Sequence, residues 1–231
     1  MTARVSPNAR FWDKTARRYS RRPISDQESY ERKLELTREQ FRPDMHVLEF
    51  GCGTGSTAIL HAPHVSHILA SDVSGKMLAI GRERAREAGV ENIHFEQAGF
   101  EDLDCPDAAF DAVLGLNILH LMGDPGAAVH KVWRLLKPGG VFISSTACVG
   151  DMNPFVRLAL PLMKLAGKAP HVTVLRNERL IAMVEAPGFQ ITENWRPKDG
   201  ATVFLIARKP AGSAVLVDAD QKDDEGERKQ D

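Results

Sequence analysis

Two acidic side chains end two consecutive apolar runs, and a glycine-rich segment lies between them. Glu49 ends the first run and precedes Gly51, Gly53 and Gly55, and Asp72 ends the second run. A carboxylate roughly 20 residues beyond a glycine-rich turn matches the spacing used to bind ribose hydroxyls in βαβ units. Glycine adopts left-handed backbone and lets a ligand lie against the main chain. These residues predict a site for a nucleotide-like ligand.

The acidic side chain at the end of the first strand indicates which nucleotide-like ligand would bind. Dinucleotide sites carry the pattern G-x-G-x-x-G/A, and this register puts Ser56 at the third glycine position. The carboxylate of Glu49 would repel a pyrophosphate, whereas it would attract a ligand with a sulfonium and an ammonium group. Both features favour S-adenosylmethionine over NAD. A purely structural turn from Gly51 to Gly55 is the alternative.

Four motifs in order resemble the class I S-adenosylmethionine-dependent methyltransferases, in particular the small-molecule subgroup called type 11. They are Val47-Leu-Glu-Phe-Gly-Cys-Gly-Thr-Gly, Ser71-Asp-Val-Ser-Gly-Lys-Met-Leu78, Phe110-Asp-Ala-Val-Leu114 and Leu135-Leu-Lys-Pro-Gly-Gly-Val-Phe-Ile143. The resemblance implies an α/β fold, a Rossmann-like doubly wound seven-stranded sheet, mostly parallel with an antiparallel last strand. It is specific for fold and cofactor, and it leaves the substrate open.

Hydrophobic patterning supports this architecture independently. Continuous apolar runs, typical of parallel strands covered on both faces, are found at 45–50, 67–72, 93–97, 110–116 and 141–145. Segments 189–195 and 202–207 are predicted to close the sheet as an antiparallel pair. Helices are predicted at 55–62, 74–88, 125–136 and 178–185 from apolar periodicity and capping residues.

The length of 231 residues suits one domain with short additions. We expect a helical leader at 1–40, the methyltransferase domain at 41–210 and a disordered tail at 211–231. An apolar insertion at 151–170 follows the fifth strand, where the substrate site lies in this fold. It is interpreted as a lid over a hydrophobic small molecule, with a dimer contact or contact with lipid as alternatives.

Composition narrows the classes of partner. The net charge is −1, so no basic excess supports nucleic-acid binding. Cys52, Cys105 and Cys148 lack metal-ligand spacing and predict a reducing cytoplasm and no metal site. The sequence shows neither a signal core nor a run of roughly 20 apolar residues that would span a membrane. We therefore expect a cytoplasmic monomer or homodimer that acts on a small molecule, with peripheral lipid contact as an alternative.

The resemblance also implies cofactor contacts at the first two strand ends. Glu49 would orient the methionine end, and the backbone of Gly51, Gly53 and Thr54 would lie against it. Asp72 would accept both ribose hydroxyls, because a carboxylate has two acceptor oxygens. Met77 is expected to pack on the adenine face. Val73 is expected to contact the cofactor as well, as is Tyr30, one of two tyrosines, from the leader. Packing of the leader onto the domain is the alternative for the tyrosines.

The adenine site departs from the family pattern. Gly99 stands where members often carry an acid for the adenine amino group. The backbone around Gly99 and Phe100, or the side chain of Glu101, would then supply the contacts. Asn117 follows the fourth strand and is expected to line the sulfonium site.

Methyl transfer depends mainly on placing a nucleophile in line with the cofactor's methyl group. His120 is the candidate base because it follows the fourth strand and histidine titrates near pH 6.5, with a packing or capping role as the alternative. The segment Asn117-Ile-Leu-His120 differs from the Asp/Asn-Pro-Pro-Tyr/Phe motif of nucleobase and glutamine methyltransferases. The sequence thus predicts methylation of a small apolar molecule with S-adenosylhomocysteine as product. A non-catalytic S-adenosylmethionine-binding or partner-binding module, or another group transfer with this cofactor, remains as an alternative.

Overall fold

One mixed sheet organises the chain, whose computed structural model describes residues 7–152, 170–197 and 202–212. Within these ranges seven strands have the order β3-β2-β1-β4-β5-β7-β6. The strands are β1 (His46–Phe50), β2 (His67–Ser71), β3 (Ile93–Glu96), β4 (Phe110–Leu116), β5 (Leu136–Ala147), β6 (Gln190–Trp195) and β7 (Thr202–Arg208). Strands β1 to β5 pair in parallel, and β7 lies antiparallel between β5 and β6. The predicted Rossmann-like sheet is confirmed.

Helices cover both faces of the sheet. They are α1 (Pro7–Ser20), α2 (Gln27–Arg38), α3 (Ser56–His61), α4 (Gly75–Glu87), α5 (Pro125–Leu135) and α6 (Asn177–Glu185). Helix α4 begins where predicted, because the Ser74 hydroxyl accepts the N–H of Met77 at 3.1 Å. Along β1 the buried side chains alternate between two apolar layers, with Val47 in one layer and Leu48 and Phe50 in the other. This burial on both faces explains why the strands are continuous apolar runs.

Strand β5 is longer than the predicted 141–145. Its register with β4 shifts between the pairs Phe110–Leu136 and Ala112–Val141, so residues 137–140 form a bulge within the strand. Gly139 N–H donates to the Lys209 carbonyl at 2.9 Å, and Lys209 N–H donates to the Gly140 carbonyl at 2.9 Å. The Lys-Pro-Gly-Gly segment indicates a turn when taken by itself. Pairing with the chain after β7 joins it to the sheet.

Helix α1 of the leader is hydrogen-bonded to the start of α4, two residues beyond Asp72. Asp13 on α1 accepts hydrogen bonds from the Ser74 hydroxyl at 2.6 Å and from the Lys76 N–H at 3.1 Å. Helices α1 and α2 both fall inside the predicted leader. Most of the predicted lid, residues 153–169, and the tail from 213 onward lie outside the described residues. None of the described helices is long and apolar enough to cross a bilayer.

Candidate active site

The carboxyl ends of β1 and β2 bring the glycine turn against Asp72. Gly51 and Gly53 have φ values of 67° and 55°, in the left-handed region that glycine favours. Asp72 Oδ2 accepts the Gly53 N–H at 2.9 Å, and Oδ1 accepts the Ser74 N–H at 2.8 Å. Burial raises the pKa of Asp72, and these two N–H donors act in the opposite direction. Each carboxylate oxygen keeps a second acceptor position, which leaves room for two ligand hydroxyls.

A first cavity of about 380 Å³ lies over this turn. Of the residues predicted for the cofactor, it is lined by Gly51, Gly53, Asp72, Val73, Met77, Phe100 and Asn117. Glu49, Thr54, Gly99, Tyr30 and His120 are not among its lining residues. Most of the predicted set therefore converges on one concave space, as small-molecule sites require.

Helix α1 supplies a wall of the first cavity that sequence reasoning largely missed. Asn8, Trp12 and Tyr19 line it from one side of the helix. The rings of Trp12 and Tyr19 meet edge to face with centroids 5.8 Å apart. Burial, followed by the charge of Asp72, raises the pKa of Tyr19, so the phenol is protonated at neutral pH. The aromatic spacing along 8–19 was the sequence signal for this wall.

Two acidic side chains lie close to Gly99, the position where family members often carry an acid for the adenine amino group. Glu101 and Asp102 both line the cavity. A Cβ built on Gly99 would lie 3.3 Å from a carboxylate oxygen of each of them. Phe100 is anchored beside them by stacking on Phe50, with ring centroids 4.1 Å apart. The sequence indicated Glu101 as one option, and Asp102 was missed.

Glu49 is a buried acid beside the glycine turn. Its side chain is 3% exposed, and Oε2 has no hydrogen-bond partner among the described residues. Burial, followed by the charge of Asp72, raises the pKa of Glu49 to about 8. A buried carboxyl oxygen without a partner is costly, and a cationic ligand group would compensate it.

A second cavity of about 580 Å³ lies between the leader and the ends of β4 and β5. Tyr19, Leu116 and Asn117 line both cavities. Tyr30 and Thr54, predicted at the cofactor, line the second cavity. Asn117 has a left-handed φ of 58°, and its N–H donates to the Ser145 carbonyl at 2.7 Å. A strained non-glycine residue at the junction of two cavities is the kind of outlier found at functional sites.

His120 lines neither cavity. It lies in a 3₁₀ turn, Leu119–Leu121, and its Nδ1 accepts the Ala147 N–H at 3.4 Å. Burial lowers the pKa of His120 to about 4. A group with that pKa is a weak base, and its position next to β5 matches the packing role. The structure therefore does not bring the candidate base to the predicted site.

Comparison with known proteins shows the family of the segment that contains the glycine turn. Residues 47–140 match the family described as "Methyltransferase domain". The "uncharacterized methyltransferase YcgJ" of Bacillus subtilis is 34% identical over 110 residues, which cover 48% of this chain and 44% of that protein. This chain contains a class I S-adenosylmethionine-dependent methyltransferase domain. The matched segment of this methyltransferase domain runs from β1 into β5 and includes Glu49, the glycine turn and Asp72.

Other relatives extend the comparison of the methyltransferase domain. The ubiquinone/menaquinone biosynthesis C-methyltransferase UbiE of Vibrio cholerae is 35% identical over 103 residues, covering 43% of this chain and 40% of that protein. The match thus spans less than half the length of these curated relatives. The solved structure of YcgJ superimposes with a TM-score of 0.65, at 21% identity, over 79% of this chain and 100% of that one. The cyclase SpnF superimposes with a TM-score of 0.68, at 23% identity, over 82% and 84% of the two chains.

The residues of the methyltransferase domain fit S-adenosylmethionine, the cofactor of this family. Glu49 has an unpartnered buried carboxyl oxygen, which suits a cationic group, although its side chain lines neither cavity. Asp72 retains acceptor positions for ribose hydroxyls, and Gly53 presents bare backbone to the first cavity. Met77 and Phe100 add apolar surface for a purine ring. These carboxylates, the glycine backbone and the apolar side chains therefore agree with S-adenosylmethionine, the ligand that the sequence favours.

Replacing Gly51 with alanine is expected to weaken S-adenosylhomocysteine binding at least tenfold, roughly 1.4 kcal/mol. A Cβ at Gly51 would lie 2.5 Å from Ile118 Cγ1, and Ile118 lines the first cavity, so the cavity must change shape. Gly89→Ala is the matched control, because Gly89 has a φ of 65° and a Cβ there meets nothing within 4 Å. Both variants bear the left-handed backbone cost, about 1–2 kcal/mol of folding stability. Calorimetric titration of both folded variants tests this, and equal affinities would contradict the placement of Gly51.

Proposed function

We propose that this chain transfers a methyl group from S-adenosylmethionine to a small molecule bound in the second cavity. The observation that carries this proposal is the shared boundary of the cavities, where Tyr19, Leu116 and Asn117 line both. When bound, S-adenosylmethionine supplies an electrophilic methyl group on a sulfonium. A donor in one cavity and an acceptor in the next turn a bimolecular reaction into a transfer between two positioned ligands.

The residues of the chain have separate parts in this positioning. Asp72 and the Gly53 backbone hold the ribose side, and Glu49 orients and partly neutralises the cationic methionine end. Asn117, held by its N–H bond to the Ser145 carbonyl at 2.7 Å, stands where the two ligands meet. Helix α1 excludes water from the first cavity through Trp12, which lines it.

A small acceptor is supported by the size of the second cavity, about 580 Å³, which falls in the usual range for small-molecule sites. The UbiE relatives are named as C-methyltransferases of ubiquinone and menaquinone biosynthesis, and we infer a small-molecule acceptor for this chain partly from that name. The prediction of an apolar acceptor rested on residues 151–170, most of which lie outside the described ranges. The described lining of the second cavity includes the polar side chains of Tyr30, Lys33 and Arg84, so this part of the cavity is not purely apolar.

Two measurements test the proposal in order. S-adenosylhomocysteine at 100 times its dissociation constant should add about 2.7 kcal/mol to the free energy of unfolding, and NAD should add nothing. Transfer of a labelled methyl group to a panel of small phenols, carboxylates, amines and thiols should then show turnover. Cofactor binding without turnover across the panel would favour the non-catalytic binding module. That outcome is a real alternative, because the fold alone does not determine the reaction, as the cyclase name of SpnF illustrates.

A further inference from the structure

The second cavity carries more cationic than anionic side chains. Arg22, Lys33 and Arg84 line it, and Asp26 is the single carboxylate among its described lining residues. Asp26 accepts the Ser29 N–H at 3.0 Å as the N-cap of α2, so its carboxylate also serves the helix. Glu49 lies nearby and acts electrostatically on Tyr30. The balance of charge in the lining favours an anionic occupant.

Arg84 is held by neutral groups. Its Nη1 donates to Thr54 Oγ1 at 3.1 Å and to Ser56 Oγ at 3.0 Å, and its Nη2 donates to the Ser20 carbonyl at 2.7 Å. No carboxylate pairs with this guanidinium in the described part of the chain. Its positive charge therefore adds to the potential of the second cavity.

Lys33 extends the charge to the point where the two cavities meet. Its Nζ lies 3.5 Å from Ser145 Oγ, and Ser145 Oγ lies 3.4 Å from Asn117 Oδ1. Ser145 is 1% exposed, and Asn117 lines both cavities. The Lys33 ammonium is therefore linked through Ser145 to Asn117, which lies at the boundary of the two cavities. In the proposed function, the reacting atom of the acceptor lies at this boundary.

We propose that the reacting atom of the acceptor is an ionised oxygen, of a phenol or a carboxylic acid, and that Lys33 binds this oxygen. The inference rests on the proposed function and names the acceptor class for the same site. An ammonium in contact favours the ionised form of a weak acid and lowers its pKa. For a phenol, this contact would generate the nucleophile near neutral pH without a histidine base.

The proposed methyl transfer conserves atoms and charge with Lys33, the acceptor and the cofactor as the participating groups. The hydroxyl loses its proton to water on binding beside Lys33, and the resulting oxygen anion attacks the methyl carbon. A C–O bond forms while the C–S bond breaks, and the electron pair of that bond stays on sulfur. One negative and one positive charge are lost together, which yields a neutral methyl ether or ester and S-adenosylhomocysteine. Lys33 keeps its proton throughout and is not consumed.

Lys33→Met is expected to lower kcat/KM at least 30-fold for 4-nitrophenol or 4-nitrobenzoate, whichever the parent methylates. Lys33→Arg should restore it to within about fivefold, because the charge is retained. Lys14→Met, an exposed lysine on α1 that lines neither cavity, is the matched control and should equal the parent. With 4-nitrophenol, the acidic limb of the kcat profile, which reports ionisation of the bound phenol, should move up by about one pH unit in Lys33→Met.

A spectroscopic readout makes the inference independent of turnover. In protein saturated with S-adenosylhomocysteine, the visible absorbance of 4-nitrophenolate should report ionisation of the bound phenol about one pH unit below that of the free phenol, a tenfold shift in its acid constant. The shift should vanish in Lys33→Met. An equal pKa in parent and Lys33→Met, or failure of both probes to bind saturably, would overturn the inference.

The outcomes also separate this inference from the proposed function. Efficient methylation of amines or thiols, with Lys33→Met as active as the parent, would overturn the oxygen-anion acceptor and leave methyl transfer standing. Absence of any heat of binding with S-adenosylhomocysteine would remove the proposed function, and the acceptor class with it.

Discussion

Asp72→Ala is expected to weaken S-adenosylhomocysteine binding by about 100-fold, on the order of 3 kcal/mol. The substitution removes the acceptor of the Gly53 N–H at 2.9 Å and of the Ser74 N–H at 2.8 Å, and it removes the partner proposed for two ribose hydroxyls. The glycine turn and the start of α4 would each keep an unpaired backbone donor. Isothermal calorimetry on the folded variant measures the effect directly.

Asp44→Ala provides the control for this experiment. The Asp44 side chain is 76% exposed and pairs with Arg42 at the surface, so its removal should leave the affinity within about twofold. Asp72→Asn retains one amide oxygen as acceptor and should fall between the parent and Asp72→Ala. An Asp72→Ala affinity within threefold of the parent would reject the role of Asp72 in binding the ribose.

Cofactor affinity is expected to depend on pH through Glu49. The pKa of Glu49 is raised to about 8 by burial and by Asp72, so the carboxyl is mostly protonated in the free protein at pH 6. A cationic cofactor favours the ionised form and lowers this pKa, so binding must release a proton below pH 8. Affinity for S-adenosylmethionine should therefore fall about 20-fold between pH 7.5 and pH 6, with release of about one proton per cofactor at pH 6.

Glu49→Gln separates this carboxyl from the titration of the cofactor itself. The amide is similar in size and cannot ionise, so the variant should bind more weakly at pH 7.5 and lose most of the pH dependence. Calorimetry in two buffers of different ionisation enthalpy counts the protons released. If the parent releases no more protons than Glu49→Gln, the carboxyl does not bind the cationic end of the cofactor.

Much of the site could be predicted because it is built from short segments. The alternation of apolar runs, acids and glycines places Asp72 beside the glycine turn, since parallel strands end at the same edge of a sheet. Ser74 caps α4 as predicted, because capping depends on residues three apart. The site residues Gly51, Gly53, Val73 and Met77 follow from the same two strand ends.

The positions of other residues could not be predicted, because they depend on contacts between segments that are far apart in the sequence. The sequence does not distinguish Tyr19 from Tyr30 as a residue that contacts the cofactor. The packing of α1 places Tyr19 in the lining of both cavities, whereas Tyr30 lines only the second cavity. His120 follows β4 as expected, but its ring bonds to β5 and burial lowers its pKa to about 4. The extension of β5 likewise depends on pairing with Lys209.

The sequence by itself predicted the fold, because apolar runs and motifs recur along most of the chain. It also predicted the cofactor class and the role of the acids at the first two strand ends, because these depend on patterns within one βαβ unit. The tertiary structure decided the pKa of Glu49, the aromatic wall and the second cavity. Lys33 and Ser145 are 112 residues apart in the chain, and their approach depends on α2 docking across the end of the sheet. Burial and long-range proximity are properties of the packed chain, so the proposed acceptor site depends on contacts between the leader and the strands that no local pattern contains.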